Sequence, residues 1–313
     1  MEIPVFLITG FLESGKTSFI METMKDPEFY NGEKTLIVAC EEGEEEYDEE
    51  VLKELNTDIV YVDDVEEFTD FYFKDLHAKH KPDRVIIEYN GMWKVDDILD
   101  TLMPKEWILV QVITTVDAST FDSYINNMRQ LIMQQMTYSD TVIFNRCDEQ
   151  TKKNLLRRNV KVINPKAQII YEGADGMLPS DDEEDLPFDI NADVIELEDD
   201  DYGLWYIDAS DKPEKYDGKI IKFTAMSYKP KKFPKGYFVP GRHAMTCCED
   251  DIRFLGFVCK SDKAEKISDR EWIKVVAEIK CENHKIYGGP GPVLYAKKVE
   301  YTDEPKEKLV YFT

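Results

Sequence analysis

One octapeptide limits what this chain can fold into. Gly10 to Thr17 read GFLESGKT, which fits the pattern G-x-x-x-x-G-K-[ST]. An apolar run, VFLIT, leads into it, and a helix-like run, TSFIMETM, overlaps its end and continues from it. In a strand–turn–helix setting this pattern is a phosphate-binding loop. Gly10 and Gly15 let the backbone curl, so that consecutive N–H groups from Glu13 through Ser14 to Ser18 point at one anion. The helix N-terminus adds the positive end of its dipole. Lys16 is expected to reach the β- and γ-phosphates of a nucleotide, and the Thr17 hydroxyl to ligate Mg²⁺.

The residues around the loop agree with that setting. Strand-like runs occur at Pro4–Thr9, Thr35–Ala39, Ile59–Val62, Arg84–Glu88, Ile108–Val116, Thr141–Asn145 and Ala167–Tyr171. They are short, β-branched and apolar on both parities, as strands covered on both faces are. Helical patterns such as Lys16–Met24, Asp48–Leu55, Val65–Lys79 and Ser119–Met136 lie between most of them. The expected fold is α/β, a P-loop NTPase with a mainly parallel sheet.

Two more segments supply chemistry. RVIIEYNG ends a strand on Glu88, where a carboxylate can hold Mg²⁺ directly or through water. Strand Thr141–Phe144 runs into Asn145, Arg146, Cys147 and Asp148, close to the Asn-Lys-x-Asp signature of GTPases. A carboxylate at Asp148 can accept hydrogen bonds from the guanine ring N–H and amino group, a pattern adenine does not offer. A loop-and-cap role for Asp148 is the alternative. Arg146 stands where such proteins carry Lys; its planar group could stack on a base, and the exchange is not neutral by default.

Charge divides the chain. Residues 1–211 carry 18 Lys and Arg against 49 Asp and Glu, a balance of −31, whereas residues 212–313 carry 21 against 15, a balance of +6. A surface as acidic as the first part repels nucleic-acid phosphates, so no nucleic-acid partner is expected. No run of about 18 apolar residues is present, so no membrane insertion is expected. The start, MEIPVFLITG, has neither the basic residues nor the cleavage site of a signal peptide, which leads us to expect a cytoplasmic chain. Its six cysteines are spread unevenly and are expected to be reduced.

Taken together, ITGFLESGKT, LIVACEEGEEEYD, VIIEYNG, ITTVDASTF, IFNRCD and INPKAQI resemble, in order, the CobW-type metallochaperone GTPases. These are relatives of the GTPases that help insert nickel into urease and hydrogenase. The likeness covers roughly residues 3–171. The second segment in that family reads Asn-Glu-x-Gly followed by an Asp; here Cys40 replaces the Asn, while Glu41, Gly43 and Asp48 match. The resemblance implies that Glu41 helps organise Mg²⁺ and the attacking water, and that the segment to Asp48 is a switch loop. Lys16, Glu41 and Glu88 are then the candidate catalytic residues, with Thr17, Glu41 and Glu88 around Mg²⁺. Many members carry a Cys-x-Cys-Cys metal site after this segment, but here the region reads NTDIVYVDDVEEFTDF, without cysteine. Cys40 with the acids Glu41–Glu46 is an alternative metal-holding set, beside a simpler role as a solvated loop.

The second part follows another pattern. Residues 172–211 contain no Lys or Arg, and SDDEEDLPFD is too charged to bury, so 172–211 are expected to be an acidic linker between a domain at 1–171 and a β-rich one at 212–313. Leu204, Trp205 and Ile207 are nonetheless expected to pack on something. Short β-rich runs separated by KPKKFPKG and YGGPGP suggest a small barrel or sandwich. GYFVPGRHAMTCC, the later Gly-Phe-Val and the Trp272 segment resemble the soluble domain of YcgQ-type subunits of bacterial two-component permeases. That likeness spans roughly residues 214–301 and implies a permease subunit as partner. His243, Cys247 and Cys248 cluster there and could hold Zn²⁺ or another transition metal, against the commoner role of buried structural thiols.

The leading expectation is a Mg²⁺-dependent GTPase of the metallochaperone type, a switch in metal homeostasis or transport that acts on a metalloprotein client. No arginine finger or catalytic Gln is assignable, so turnover should be slow unless a homodimer or other partner completes the site. The alternatives are a non-catalytic nucleotide-bound adaptor that docks a membrane permease, and an ATP-dependent P-loop enzyme. Lys16→Ala is expected to abolish tight nucleotide binding in calorimetry; unchanged GTP affinity would exclude the assignment.

Overall fold

The run IPVFLIT forms the first strand, β1 (Ile3–Thr9), and buries Val5, Leu7 and Ile8 on opposite faces. Burial on both sides is what a central parallel strand requires. This computed structural model describes residues 2–41, 43–179, 186–230, 233–245 and 252–311. The chain forms two compact units that divide between residues 181 and 182.

In the first unit strands and helices alternate: α1 (Lys16–Lys25), β2 (Thr35–Ala39), α2 (Glu49–Glu54), β3 (Thr57–Tyr61), α3 (Asp70–His80), β4 (Arg84–Glu88) and α4 (Val95–Leu99). Then come β5 (Trp107–Asp117), α5 (Phe121–Asn127), α6 (Arg129–Thr137), β6 (Thr141–Cys147), α7 (Lys153–Ile163), β7 (Gln168–Gly173) and β8 (Gly176–Leu178). The sheet order is β3-β2-β4-β1-β5-β6-β7-β8. Its pairs are parallel except the terminal β7–β8 hairpin. The expected mainly parallel α/β sheet is therefore the observed one.

Alternate residues of the central strands face two separate cores. Val5, Leu7, Val38, Val85 and Ile87 meet Phe73 and Leu76 of α3 and Ile98 of α4. Ile8, Ile37, Ile86 and Ile113 meet Ile20 and Met24 of α1 and Leu52 of α2. Each such fully buried side chain contributes roughly 1.5–3 kcal/mol relative to exposure. β1 lies between β4 and β5, so the chain crosses to opposite sides of it. That leaves a crevice at the carboxyl ends of the strands, where open α/β sheets bind ligands.

Two expected helices are interrupted. The 65–79 pattern is a 3₁₀ turn at Val65–Glu67 followed by α3, whose cap is the Thr69 side chain accepting from the Tyr72 N–H. The 119–136 pattern breaks at Met128, whose φ of −133° lies outside the helical range, leaving α5 and α6. In both cases tertiary packing overrides an unbroken apolar period.

The second unit also departs from expectation at its start. Part of the segment expected as linker forms β9 (Ile195–Glu196), which pairs with a strand of the second sheet, and α8 (Tyr202–Asp211). Trp205 and Tyr202 of α8 are fully buried, with ring centroids 5.2 and 5.6 Å from Phe223, and Trp205 lies 5.2 Å from Phe257. Its aromatic residues supply a core, and Asp208 is itself buried at 1% exposure, paired with Lys215 and Tyr216, so charge alone misjudges the segment.

The remaining strands are β10 (Ile220–Tyr228), β11 (Tyr237–Met245), β12 (Ile252–Gly256), β13 (Cys259–Lys260), β14 (Trp272–His284), β15 (Gly289–Tyr301) and β16 (Leu309–Tyr311). β10 pairs with both β11 and β14, β11 with β13, β13 in parallel with β15, and β15 with β14. Those five pairings close a small barrel, which removes free edges from the cycle. Inside it Arg242 is 1% exposed, its charge met by Asp199 at 2.7 Å and by the Trp272 ring. Among the described residues no helix is long and apolar enough to cross a membrane.

Truncating Trp205 to Ala should cost about 3–5 kcal/mol. Truncating Phe71, which is 80% exposed, should stay within about 0.5 kcal/mol. Urea unfolding of the full chain compares the two.

Candidate functional site

The loop after β1 wraps the N-terminus of α1 with three residues at positive φ, Gly10 (φ 139°), Glu13 (φ 61°) and Gly15 (φ 88°). Gly15 is the N-cap of α1, and a Cβ there would lie 2.5 Å from Nδ2 of Asn145. The absence of a side chain lets the β6 loop close onto the phosphate loop. Asn145 Nδ2 donates to the Ser14 carbonyl at 2.7 Å, and Arg146 Nη1 donates to the Glu13 carbonyl at 2.8 Å. The Ser14 hydroxyl is bonded to that of Thr115 on β5, 2.9 Å away. Loop, β5 and β6 thus brace one another.

Lys16 opens α1 and is only 4% exposed. Its ammonium donates to the carbonyls of Gly10 at 2.9 Å and Phe11 at 3.0 Å, and to Glu41 Oε2 at 2.5 Å. The Thr17 hydroxyl donates to Glu88 Oε1 at 2.8 Å, and the Tyr47 hydroxyl to Glu88 Oε2 at 2.7 Å. Glu88 is 2% exposed, and burial raises its carboxyl pKa against the hydroxyl bonds and Lys16, which lower it. A buried carboxylate beside a hydroxyl and an ammonium is a set of hard oxygen donors next to a fixed cation. It suits a small divalent ion at a polyphosphate.

The expected residues Glu13, Gly15, Lys16, Thr17, Glu41, Glu88 and Arg146 line one cleft, together with Gly43 and Glu45. Gly10 and Ser14 are not among the lining residues: the Gly10 carbonyl accepts from Lys16 and the Ser14 hydroxyl meets Thr115, while the Ser18 hydroxyl meets the Glu45 carboxylate. Asp148 sits apart, on the exposed turn after β6. Its Oδ1 accepts from the Gln150 N–H and the Thr151 hydroxyl, each at 2.9 Å. The loop-and-cap contact is therefore present, in a carboxylate that still faces solvent.

Three partners were not expected from sequence. Asp117, at the end of β5, accepts from Arg146 Nη1 at 2.6 Å. Burial works against its charge, but the bonds from Ser119 and Arg146 hold its carboxyl below the usual range. The guanidinium expected to stack on a base is thus fastened to the loop and to Asp117. Gln135 of α6 donates to the Gly91 carbonyl at 2.6 Å from a buried position. Tyr47 reaches Glu88; the one available signal was a lone aromatic in the acidic run GEEEYDEE, which has to pack somewhere.

The metal expectations fare differently. Cys40 is buried, and burial together with Glu88 pushes its thiol pKa far up. His243 is on β11 with its ring 5.1 Å from that of Phe254. Cys247 and Cys248 fall outside the described residues. Among the described residues no group of three or more His, Cys, Asp or Glu is arranged to hold a metal ion.

This geometry can be set beside known proteins. The chain is 26% identical over 183 residues to the zinc chaperone YjiA of Escherichia coli, covering 53% of this chain and 56% of that protein. It is 21% identical over 188 residues to zinc-regulated GTPase metalloprotein activator 1 of Schizosaccharomyces pombe, covering 54% and 45%. The chain spans about half the length of these curated relatives. The crystal structure of Zn(II)-bound YjiA GTPase from E. coli superposes with a TM-score of 0.44 at 22% identity, over 57% of this chain and 60% of that one. Hydrogenase maturation factor HypB from Archaeoglobus fulgidus gives 0.41 at 18%, over 56% and 82%. Residues 180–312 match the DUF1980 C-terminal domain. Residues 4–171 match the family described as CobW/HypB/UreG, nucleotide-binding domain, and the chain belongs to that family.

Proposed function

We propose that this protein binds GTP with Mg²⁺ and hydrolyses it slowly, as a switch in metal homeostasis. The observation that carries the reading is the convergence at one end of the sheet. Lys16 and Thr17 at the start of α1, Glu88 at the end of β4 and Arg146 near the end of β6 line a single cleft, and Asn145 of β6 bonds the loop at the Ser14 carbonyl.

In this reading the N–H groups from Glu13 to Ser18 and the N-terminus of α1 hold the phosphates. Lys16 neutralises charge between the β- and γ-phosphates. The Thr17 hydroxyl and Glu88 would hold Mg²⁺, directly or through water, and the ion would supply further neutralisation of the phosphates. Glu41 and the segment to Asp48 form the switch loop. Asp148 reads the guanine edge, and Asn145 and Arg146 fix the loop beneath it. Positioning and charge stabilisation carry such a reaction, with no covalent intermediate on the protein. Turnover stays slow until a homodimer or another partner adds what the cleft lacks.

The relatives are named for zinc, one as a chaperone and one as a metalloprotein activator, which supports a metalloprotein client and a transition-metal cargo. The alternative is a non-catalytic adaptor that uses the bound nucleotide to dock a membrane permease subunit through the second unit, a reading that rests on the resemblance of residues 214–301 alone. Phosphate release over many turnovers, with and without partner, separates a GTPase from a pure adaptor.

Calorimetry with GTP and ATP in Mg²⁺, on wild type and Asp148→Asn, tests the nucleotide. GTP should bind much more tightly than ATP, and Asp148→Asn should erase the preference. Equal binding of the two by wild type would move an ATP-dependent enzyme ahead.

A further inference from the structure

The phosphate cleft is closed by the protein's own acid. All three N–H bonds of the Lys16 ammonium have acceptors: two loop carbonyls and Glu41 Oε2. The other oxygen of that carboxylate, Oε1, accepts the Gly91 N–H at 3.0 Å. One anion therefore bridges the phosphate-loop lysine and the backbone amide just beyond β4. The side chains of this pair are only 3% and 9% exposed.

Residues 44, 45 and 47 are tied down as well. The Glu44 N–H donates to Glu13 Oε1 at 2.8 Å, the Ser18 hydroxyl to Glu45, and the Tyr47 hydroxyl to Glu88 at 2.7 Å. A buried ammonium stripped of its counter-ion is costly, so some anion has to stand beside Lys16 at all times. Two anions cannot share the place without repulsion.

We propose that Glu41 is an internal occupant of the terminal-phosphate position, displaced when a nucleoside triphosphate enters. Displacement removes the anchor between segment 41–48 and the loop, and so converts phosphate occupancy into movement of the switch segment. A diphosphate, which lacks the group that competes with Glu41, leaves the anchor in place. The proposal rests on the nucleotide-binding reading above and names its gate. If the anchored form makes up about nine-tenths of the free protein, it weakens triphosphate binding about tenfold.

The test uses the full chain in EDTA, so that any part Glu41 plays at Mg²⁺ drops out. GTPγS and GDP are titrated into wild type, Glu41→Gln and Glu106→Gln, the last an exposed acid just before β5. Glu41→Gln should tighten GTPγS about tenfold and GDP by less than about threefold, with Glu106→Gln close to wild type. Equal tightening of both nucleotides, equal effects of the two variants, or no tightening at all overturns the gate. A second measurement needs no variant: hydrogen exchange across residues 43–48 of wild type should quicken with saturating GTPγS and not with GDP. Slower or unchanged exchange with GTPγS overturns it too. If neither wild type nor Glu41→Gln binds a guanine nucleotide, the gate and the function both fall. If only the variant binds, the gate stands and the wild-type chain is held shut by it.

Discussion

A buried positive charge governs the first unit. Lys16 sits at the carboxyl end of β1, almost out of solvent, and its ammonium has to be satisfied by the protein or by a ligand. The loop carbonyls of Gly10 and Phe11 meet two of its donors, and the third needs an anion. Net hydrogen-bond energies to charged groups are about 1.5–3 kcal/mol, but an unpaired buried charge costs more than that. Much of the surrounding architecture answers this demand. β4 brings Glu88 alongside, the β2 turn brings Glu41, and the β6 loop braces the backbone from behind.

The same charge explains why so acidic a domain can take an anionic ligand. Residues 1–181 carry 18 Lys and Arg against 36 Asp and Glu, a balance of −18, which at long range repels a nucleotide. At short range the helix N-terminus, the loop N–H groups and Lys16 form a compact positive site, and screening weakens the distant acids within about a Debye length. Glu88 would add repulsion if it faced a phosphate alone. Its contacts with the Thr17 and Tyr47 hydroxyls instead form an oxygen cluster suited to a divalent cation.

The second unit is built by different means. Its strands alternate inward apolar and outward polar residues, its barrel closes through β10, and α8 adds an aromatic plug of Trp205 and Tyr202. Each unit has its own core, as separately folding domains require. The basic balance of residues 212–313 is offset within this unit by the acids of 182–211, so that residues 182–313 carry 21 Lys and Arg against 28 Asp and Glu, a balance of −7.

Legibility from sequence followed chain distance. The octapeptide, Glu88 and Asn145 could be read because each belongs to a contiguous pattern whose chemistry is local: a turn that needs glycine, a strand that ends in an acid. The parallel sheet was readable because strands covered on both faces must be apolar on both parities. The helix breaks at Met128 and Phe68 were not, because an apolar period says which face is buried but not where packing interrupts it. Charge likewise concealed β9 and α8, since acids outnumber the few aromatics that fold the segment. Tyr47, Asp117 and Gln135 meet partners 41, 29 and 44 residues away, and no window of sequence contains both members. By itself the sequence determined that a phosphate loop opens an α/β domain and which acids could serve it. Only the tertiary structure decided that Glu41 spans Lys16 and Gly91, because that contact depends on how three strand ends meet in space.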